Sequence, residues 1–101
     1  MPNQGAVPNL PGDAILELPA AATATGLRPL QLLDFPEPLA AIITRKLTAT
    51  RLTVEAALRG DRNLFVEALL ADGAVSDLDV ARELMGELLE AHRGDLPNFF
   101  P

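Results

Sequence analysis

The stretch PEPLAAIITRKLTATRLTVEAALRG, Pro36 to Gly60, constrains the fold more than any other part of the sequence. Pro and Glu open it, as a helix N-terminus prefers, and Gly60 stands where a helix would stop. Leu39, Ile43, Leu47, Val54 and Leu58 lie near one face of that helix, but Ile42, Leu52 and Ala56 put apolar atoms elsewhere. A helix apolar on more than one side has to be sandwiched or to sit at an interface. Thr44, Thr48, Thr50 and Thr53 lower its intrinsic propensity. Tertiary contacts must therefore hold it.

Two further helices follow. Asp61 is placed to cap DRNLFVEALLADG, with Leu64, Phe65, Ala68 and Leu69 inward and Gly73 ending it. Ser76, followed three residues later by Asp79, resembles a capping box with Asp for the usual Glu or Gln. The third helix then runs to about His92 and buries Leu78, Ala81, Leu84, Met85, Leu88 and Leu89. DLPNFFP closes the chain with two adjacent phenylalanines.

Residues 1–13, with three prolines and two glycines, read as loop. AILEL, Ala14 to Leu18, alternates as a short strand does: Ile15 and Glu17 on one side, Ala14, Leu16 and Leu18 on the other. Pro19 stops it. AAATATG follows, where Gly26 has the freedom for a left-handed turn, and then a second apolar run from Leu30 to Leu33. The two runs are spaced to pair as strands, or AAATAT forms a helical turn.

The fold class expected is α+β, mainly α: two short strands or extended segments over 1–35, then about three helices over 36–101, as one domain or a fragment of a larger catalytic domain. A chain of 101 residues buries only about 60–65% of its unfolded surface. Hydrophobic residues make up 49% with no Trp or Tyr, so Leu, Ala, Val and Ile must build the core.

Several function classes are excluded by residue type. Net charge is −6 and the cations are scattered, whereas phosphate contacts need clustered ones, so nucleic acid is not a partner. Without Cys there is no disulfide framework and no thiolate ligand or nucleophile. That usage fits a cytoplasmic protein. No apolar run approaches the roughly 18 residues a membrane span needs. His92, the only histidine, reads as a cation against a helix C-terminus, because a metal site needs further converging ligands. Carboxylates such as Glu55, Glu67, Glu83 and Glu87 fall at caps or polar faces. Ser76 is the sole serine and lies too far from His92 to be activated by it. Gly5, Gly12 and Gly26 do not make a dinucleotide-binding loop.

Two motifs remain, NQGAVPNLP and LTVEAALRGDR. The stretch NQGAVPNLPGDAILELPAAATATGLRPLQLLDFPEPLAA resembles the NxGxIxNLPxDxxVExP…GxxPL…LPxxLAA segment late in glycoside hydrolase family 4. LTVEAALRGDR through LPNFF is similar to that family's C-terminal end, and nearly the whole chain is covered in order. The family comprises 6-phospho-β-glucosidases, α-galactosidases, α-glucosidases and α-galacturonases that use NAD and a divalent metal, usually manganese. The resemblance implies oxidation at C3 of the sugar, proton removal at C2 and elimination of the glycosidic oxygen.

None of the family's machinery has a counterpart here: neither the Rossmann glycine loop, the metal-binding Cys and His, nor the Tyr base. The resemblance transfers only Asn3, Gly5 and Asn9, as a substrate-side loop. The same residues also read as turn formers, with Asn9-Leu10-Pro11 fixing the entry to AILEL. Gly73 and Ala74 replace a usual Pro-Leu, which loosens a helix end, and Arg51 replaces a usual Glu. The chain thus reads as the C-terminal segment of a family 4 enzyme, catalytically silent alone, its partner the upstream catalytic part. NAD and manganese belong to the intact family and not to this chain alone. The other reading is a small helical module that pairs with its own copy, a homo-oligomer built on the two-sided helix.

Overall fold

A computed structural model describes residues Met1–Pro101. Two short strands form an antiparallel hairpin, β1 (Ala20–Thr23) and β2 (Gly26–Pro29), with Ala22 opposite Leu27 and Ala20 opposite Pro29. Three helices follow: α1 (Glu37–Arg59), α2 (Arg62–Asp72) and α3 (Leu78–Ala91), then two 3-10 turns over Arg93–Asp95 and Pro97–Phe99. The chain divides into two compact units, Met1–Thr44 and Arg45–Pro101.

The strands do not lie where the apolar runs suggested. AILEL is extended, and its alternation survives in burial: Ala14, Leu16 and Leu18 are half-buried while Ile15 and Glu17 are exposed. It nevertheless makes only one bridge, Ile15 opposite Pro2, and Leu30–Leu33 leads into a turn. The hairpin forms instead in AAATATG, because turn chemistry outweighs the poor strand propensity of Ala. The Thr23 hydroxyl accepts from the Thr25 N–H (3.3 Å) and donates to the Gly26 carbonyl (2.7 Å). Gly26 has φ +111°, a conformation that disfavours side chains.

Apolar burial in the first unit centres on Val7, Leu10 and Ala40, with Leu16, Leu18, Leu32, Phe35 and Ile43 packed against them. In the second unit it centres on Ala56, Leu89 and Phe99, joined by Leu64, Phe65, Met85, Leu96 and Phe100. Along α1 the buried positions are alanines, Ala40, Ala49 and Ala56, whereas Leu39, Ile42, Val54 and Leu58 stay exposed. Leu78 of α3 is likewise exposed rather than buried, and in α2 Val66 is buried beside Ala68.

Helix ends follow their caps. Asp61 accepts from the N–H groups of Asn63 (2.9 Å) and Leu64 (3.1 Å) to start α2, and Gly73 ends it at φ +90°. α3 is capped by Asp77, whose carboxylate accepts from the Val80 N–H (3.0 Å), and not by Ser76. Asp77 precedes the first helical residue, so its oxygen reaches the third amide of α3, while Ser76 lies one residue too early. The end of α2 at Gly73 is not loose: Arg45 Nε donates to Ala71 O (2.8 Å) and Lys46 Nζ to Asp72 O (2.9 Å). No helix of the chain is long and apolar enough to cross a membrane.

Candidate functional site

The loop marked by Asn3, Gly5 and Asn9 is organised from within. Asn3 is only 1% exposed. Its Nδ2 donates to the carbonyls of Val7 (2.9 Å), Leu10 (3.0 Å) and Pro11 (3.0 Å), and its Oδ1 accepts from the Val7 N–H (2.7 Å). Amide hydrogens and carbonyl oxygen are all spent on backbone groups; the Val7 N–H and Leu10 carbonyl have no other partner, while Val7 O and Pro11 O also accept from the N–H groups of Leu10 and Ala14. Asn3 therefore shapes the loop and presents no polar atom outward. Gln4 (φ +46°) and Gly5 (φ +86°) make the left-handed bend beside it. Gly5 is exposed, and a Cβ there would meet nothing, so its requirement is conformational rather than steric. Asn9 is exposed, and its Nδ2 donates to Phe35 O (2.9 Å), fastening the loop to the segment that enters α1. The structure brings these three residues together in one loop, with Asn3 inside and Gly5 and Asn9 on the surface.

The second motif, LTVEAALRGDR, is fixed by the chain's own C-terminus. Gly60 has φ +64°, and a Cβ on it would overlap the Asn98 carbonyl. Asn98 in turn donates through Nδ2 to the carbonyls of Ala57 (3.0 Å) and Leu58 (3.3 Å), which α1 leaves unpaired at its end. Arg62 Nη2 donates to Phe99 O (3.2 Å). Phe99 is buried and meets Phe65 edge-to-face at 5.9 Å, while Arg62 and Arg93 lie 5.2 and 4.1 Å from the centre of the Phe100 ring. GDR and LPNFF thus form one clasp. Sequence reasoning registered both ends but not their contact, because nothing local in either stretch encodes a partner so distant in sequence.

Within the second unit lies a groove of about 400 Å³ walled by Ala49, Ala56, Phe65, Leu69 and Phe99, with Lys46 and Asp72 on its border. Its hydroxyls are turned back onto α1: Thr50 donates to Lys46 O (3.0 Å) and Thr53 to Ala49 O (2.8 Å). Lys46 is paired with Asp72 at 3.0 Å, and that hydrogen bond and charge hold the Asp72 carboxyl below its ordinary value. The groove offers apolar wall and no free polar group with which to do chemistry.

No three His, Asp or Glu side chains gather where they would hold an ion. His92 is exposed at the end of α3, where its own N–H bonds back to Leu88 O (3.1 Å). Of the carboxylates, Asp61 and Asp77 are occupied as caps and Glu90 pairs with Arg93 at 3.2 Å. Ser76 is exposed.

Comparison with known proteins accounts for that arrangement. Residues 1–75 match the family 4 glycosyl hydrolase C-terminal domain. A probable 6-phospho-β-glucosidase of Bacillus subtilis is 32% identical over 97% of this chain and 22% of its own length. An α-galactosidase of Rhizobium meliloti is 31% identical over 96% of this chain and 20% of its own. A crystal structure of a 6-phospho-α-glucosidase from gut microorganisms, in complex with NAD and glucose 6-phosphate, superposes with a TM-score of 0.85 at 29% identity. It covers 96% of this chain, which matches 22% of that protein. The chain thus spans about a fifth of the length of the relatives it matches.

Proposed function

The chain belongs to glycosyl hydrolase family 4, whose C-terminal domain it carries, and we propose that it acts there as a structural element of a phosphoglucosidase- or galactosidase-like enzyme. The catalytic groups come from the part of the enzyme that precedes this domain. The observation that carries the reading is Asn3: the one buried member of the loop that the family resemblance marks is wholly committed to holding that loop. In this reading Asn3 is a positioning residue, and the exposed Gly5 and Asn9 present the loop to the substrate side of the assembled site. NAD and manganese are held by the preceding part, which alone supplies the redox chemistry. The cytoplasm is the compartment proposed, since NAD and phosphorylated sugars are held there.

Complementation tests this directly. The chain is co-expressed with the portion of the Bacillus subtilis relative that precedes the matched span, and p-nitrophenyl glycosides and their 6-phosphates are assayed with NAD and Mn²⁺. Restored turnover is expected. A co-purified complex that turns over none of these substrates would sink the proposal.

One observation favours a second reading, self-association: Leu39, Ile42, Val54 and Leu58 of α1 are exposed, and large exposed apolar side chains mark interaction surfaces when they are contiguous. Sedimentation of the chain alone over a wide concentration range would show a dimer if that reading holds. A concentration-independent monomer removes it.

A further inference from the structure

The extended segment from Ala14 to Thr23 has half of one edge paired and half empty. Asn3 N–H donates to Ala14 O (2.8 Å), Leu16 N–H donates to Met1 O (2.9 Å), and the Met1 amino group donates to Leu16 O (2.8 Å). The Ala14 carbonyl and both backbone groups of Leu16 therefore face Met1–Asn3, in the antiparallel register fixed by Pro2 opposite Ile15, while the Ala14 N–H turns to Pro11 O (3.2 Å). The opposite edge belongs to β2. Leu30 N–H donates to Pro19 O (2.8 Å), continuing the register in which Ala21 faces Arg28 and Thr23 faces Gly26. Because alternate residues of a strand face opposite edges, Leu18, Ala20 and Ala22 share the edge of Ala14 and Leu16. Beyond Leu16, nothing in the chain pairs with that edge.

Within β1 this edge is also unprotected, since Pro19 before it turns its carbonyl to the β2 edge. Proteins blunt exposed edges with charge or proline. β2 carries Arg28 and Pro29, but β1 reads AAAT and carries neither. A two-stranded hairpin is marginal in water and becomes stable with a third strand. The face shared by Ala14, Leu16, Leu18, Ala20 and Ala22 is apolar throughout, half-buried at its start and exposed at β1.

We propose that the edge of Leu18, Ala20 and Ala22 accepts an extended, alternately apolar strand from the part of a family 4 enzyme that precedes this domain, completing a three-stranded antiparallel sheet. The occupant is argued from register and from length. The Met1–Leu16 pairing directs any residue joined before Met1 along Leu18 and then Ala20. The matched relatives carry most of their length outside the span shared with this chain. The proposal rests on the role given above, that the domain works joined to a preceding catalytic part.

The test joins to Met1 the eight residues that precede the matched span in the Bacillus subtilis relative and follows backbone amide exchange by NMR. Leu18, Ala20 and Ala22 amides should exchange at least tenfold more slowly than in the unextended chain, with cross-strand contacts from the added residues. Prolines at the added positions that face the edge should abolish the protection, since proline brings no N–H to a ladder. Unchanged exchange with no contacts from the added residues overturns the proposal. Concentration-dependent protection of Ala20 and Ala22 in the unextended chain also overturns it, by giving the edge to a second copy. Turnover in the complementation assay without this protection refutes the strand alone, and protection without turnover refutes the catalytic reading alone.

Discussion

In Met1–Thr44 one amide side chain ties the opening loop together: Asn3 bonds to four backbone groups spread from Val7 to Pro11. In Arg45–Pro101 the corresponding task falls to shape, with Gly60 leaving room for the Asn98 carbonyl and Phe99 buried against Phe65. The first unit adds polar satisfaction of a loop to its apolar cluster, and the second closes its own cluster by fit at a helix end. Loss of a partner in the first leaves buried backbone groups unpaired, which costs their full desolvation. Loss of fit in the second creates overlap or a void. The two units should therefore fail by different mechanisms, and hydrogen exchange resolved by residue can follow each separately.

The largest effect is expected at Gly60→Ala. The added methyl group overlaps backbone rather than a flexible side chain, and φ +64° disfavours any Cβ. A loss of about 3 kcal/mol is expected in chemical denaturation, with protection falling in α1 beyond Arg45 and in the C-terminal turns. A change below about 1 kcal/mol would mean that the clasp yields easily and that fit does not govern this unit.

Asn3→Ala comes next. It leaves the Val7 N–H and the Leu10 carbonyl without a partner, Val7 O and Pro11 O keeping those of Leu10 and Ala14, and should cost about 2 kcal/mol, with the loss confined to amides of Met1–Thr44. If protection in α2 and α3 falls equally, the separation of the two units drawn here is wrong. Asp61→Ala removes the cap of α2 and should cost about 1 kcal/mol, raising exchange at Asn63 and Leu64 before it touches α3.

The smallest effect belongs to the exposed Lys46–Asp72 pair, which solvent and salt screen. The hydrogen bond from Lys46 holds the Asp72 carboxyl below its ordinary value of 3.8. A depressed carboxylate contributes stability above its unfolded value and loses it as pH falls through the folded one. Acid titration should thus show a small loss below about pH 3.8 that Lys46→Met abolishes. A Lys46→Met chain with an unchanged acid limb would assign that limb to other carboxylates.

The contrast between the units also decides what could be read from sequence. In the helical unit the helix boundaries are set locally, Gly60 and Gly73 stopping helices and Asp61 starting one, whereas the closure of Gly60 against Asn98 joins distant positions. Even the displaced cap, Asp77 for Ser76, is an error of a single position between two residues of equal capping ability. In the first unit the decisive interactions join positions that no period links. AILEL carries a strand's alternation, and its burial alternates accordingly, but a strand is made by its partner, and pairing stops at Leu16. AAATATG has little strand propensity, yet Thr23 and Gly26 close a tight turn and force pairing. Asn3, Gly5 and Asn9 were legible as one loop through the prolines and glycines of residues 1–13. That Asn3 faces inward and Asn9 outward was not, because inward and outward asparagines leave the same trace in a sequence.

The separation of architecture from chemistry is the central claim, and turnover by the chain alone tests it most directly. The purified 101-residue chain would be incubated with p-nitrophenyl glycosides and their 6-phosphates, in the presence and absence of NAD and Mn²⁺. No release of nitrophenol above the buffer rate is expected under any of these conditions. Turnover that depends on the chain and disappears on its removal would contradict the claim, and would place a catalytic centre among residues assigned here to shape alone.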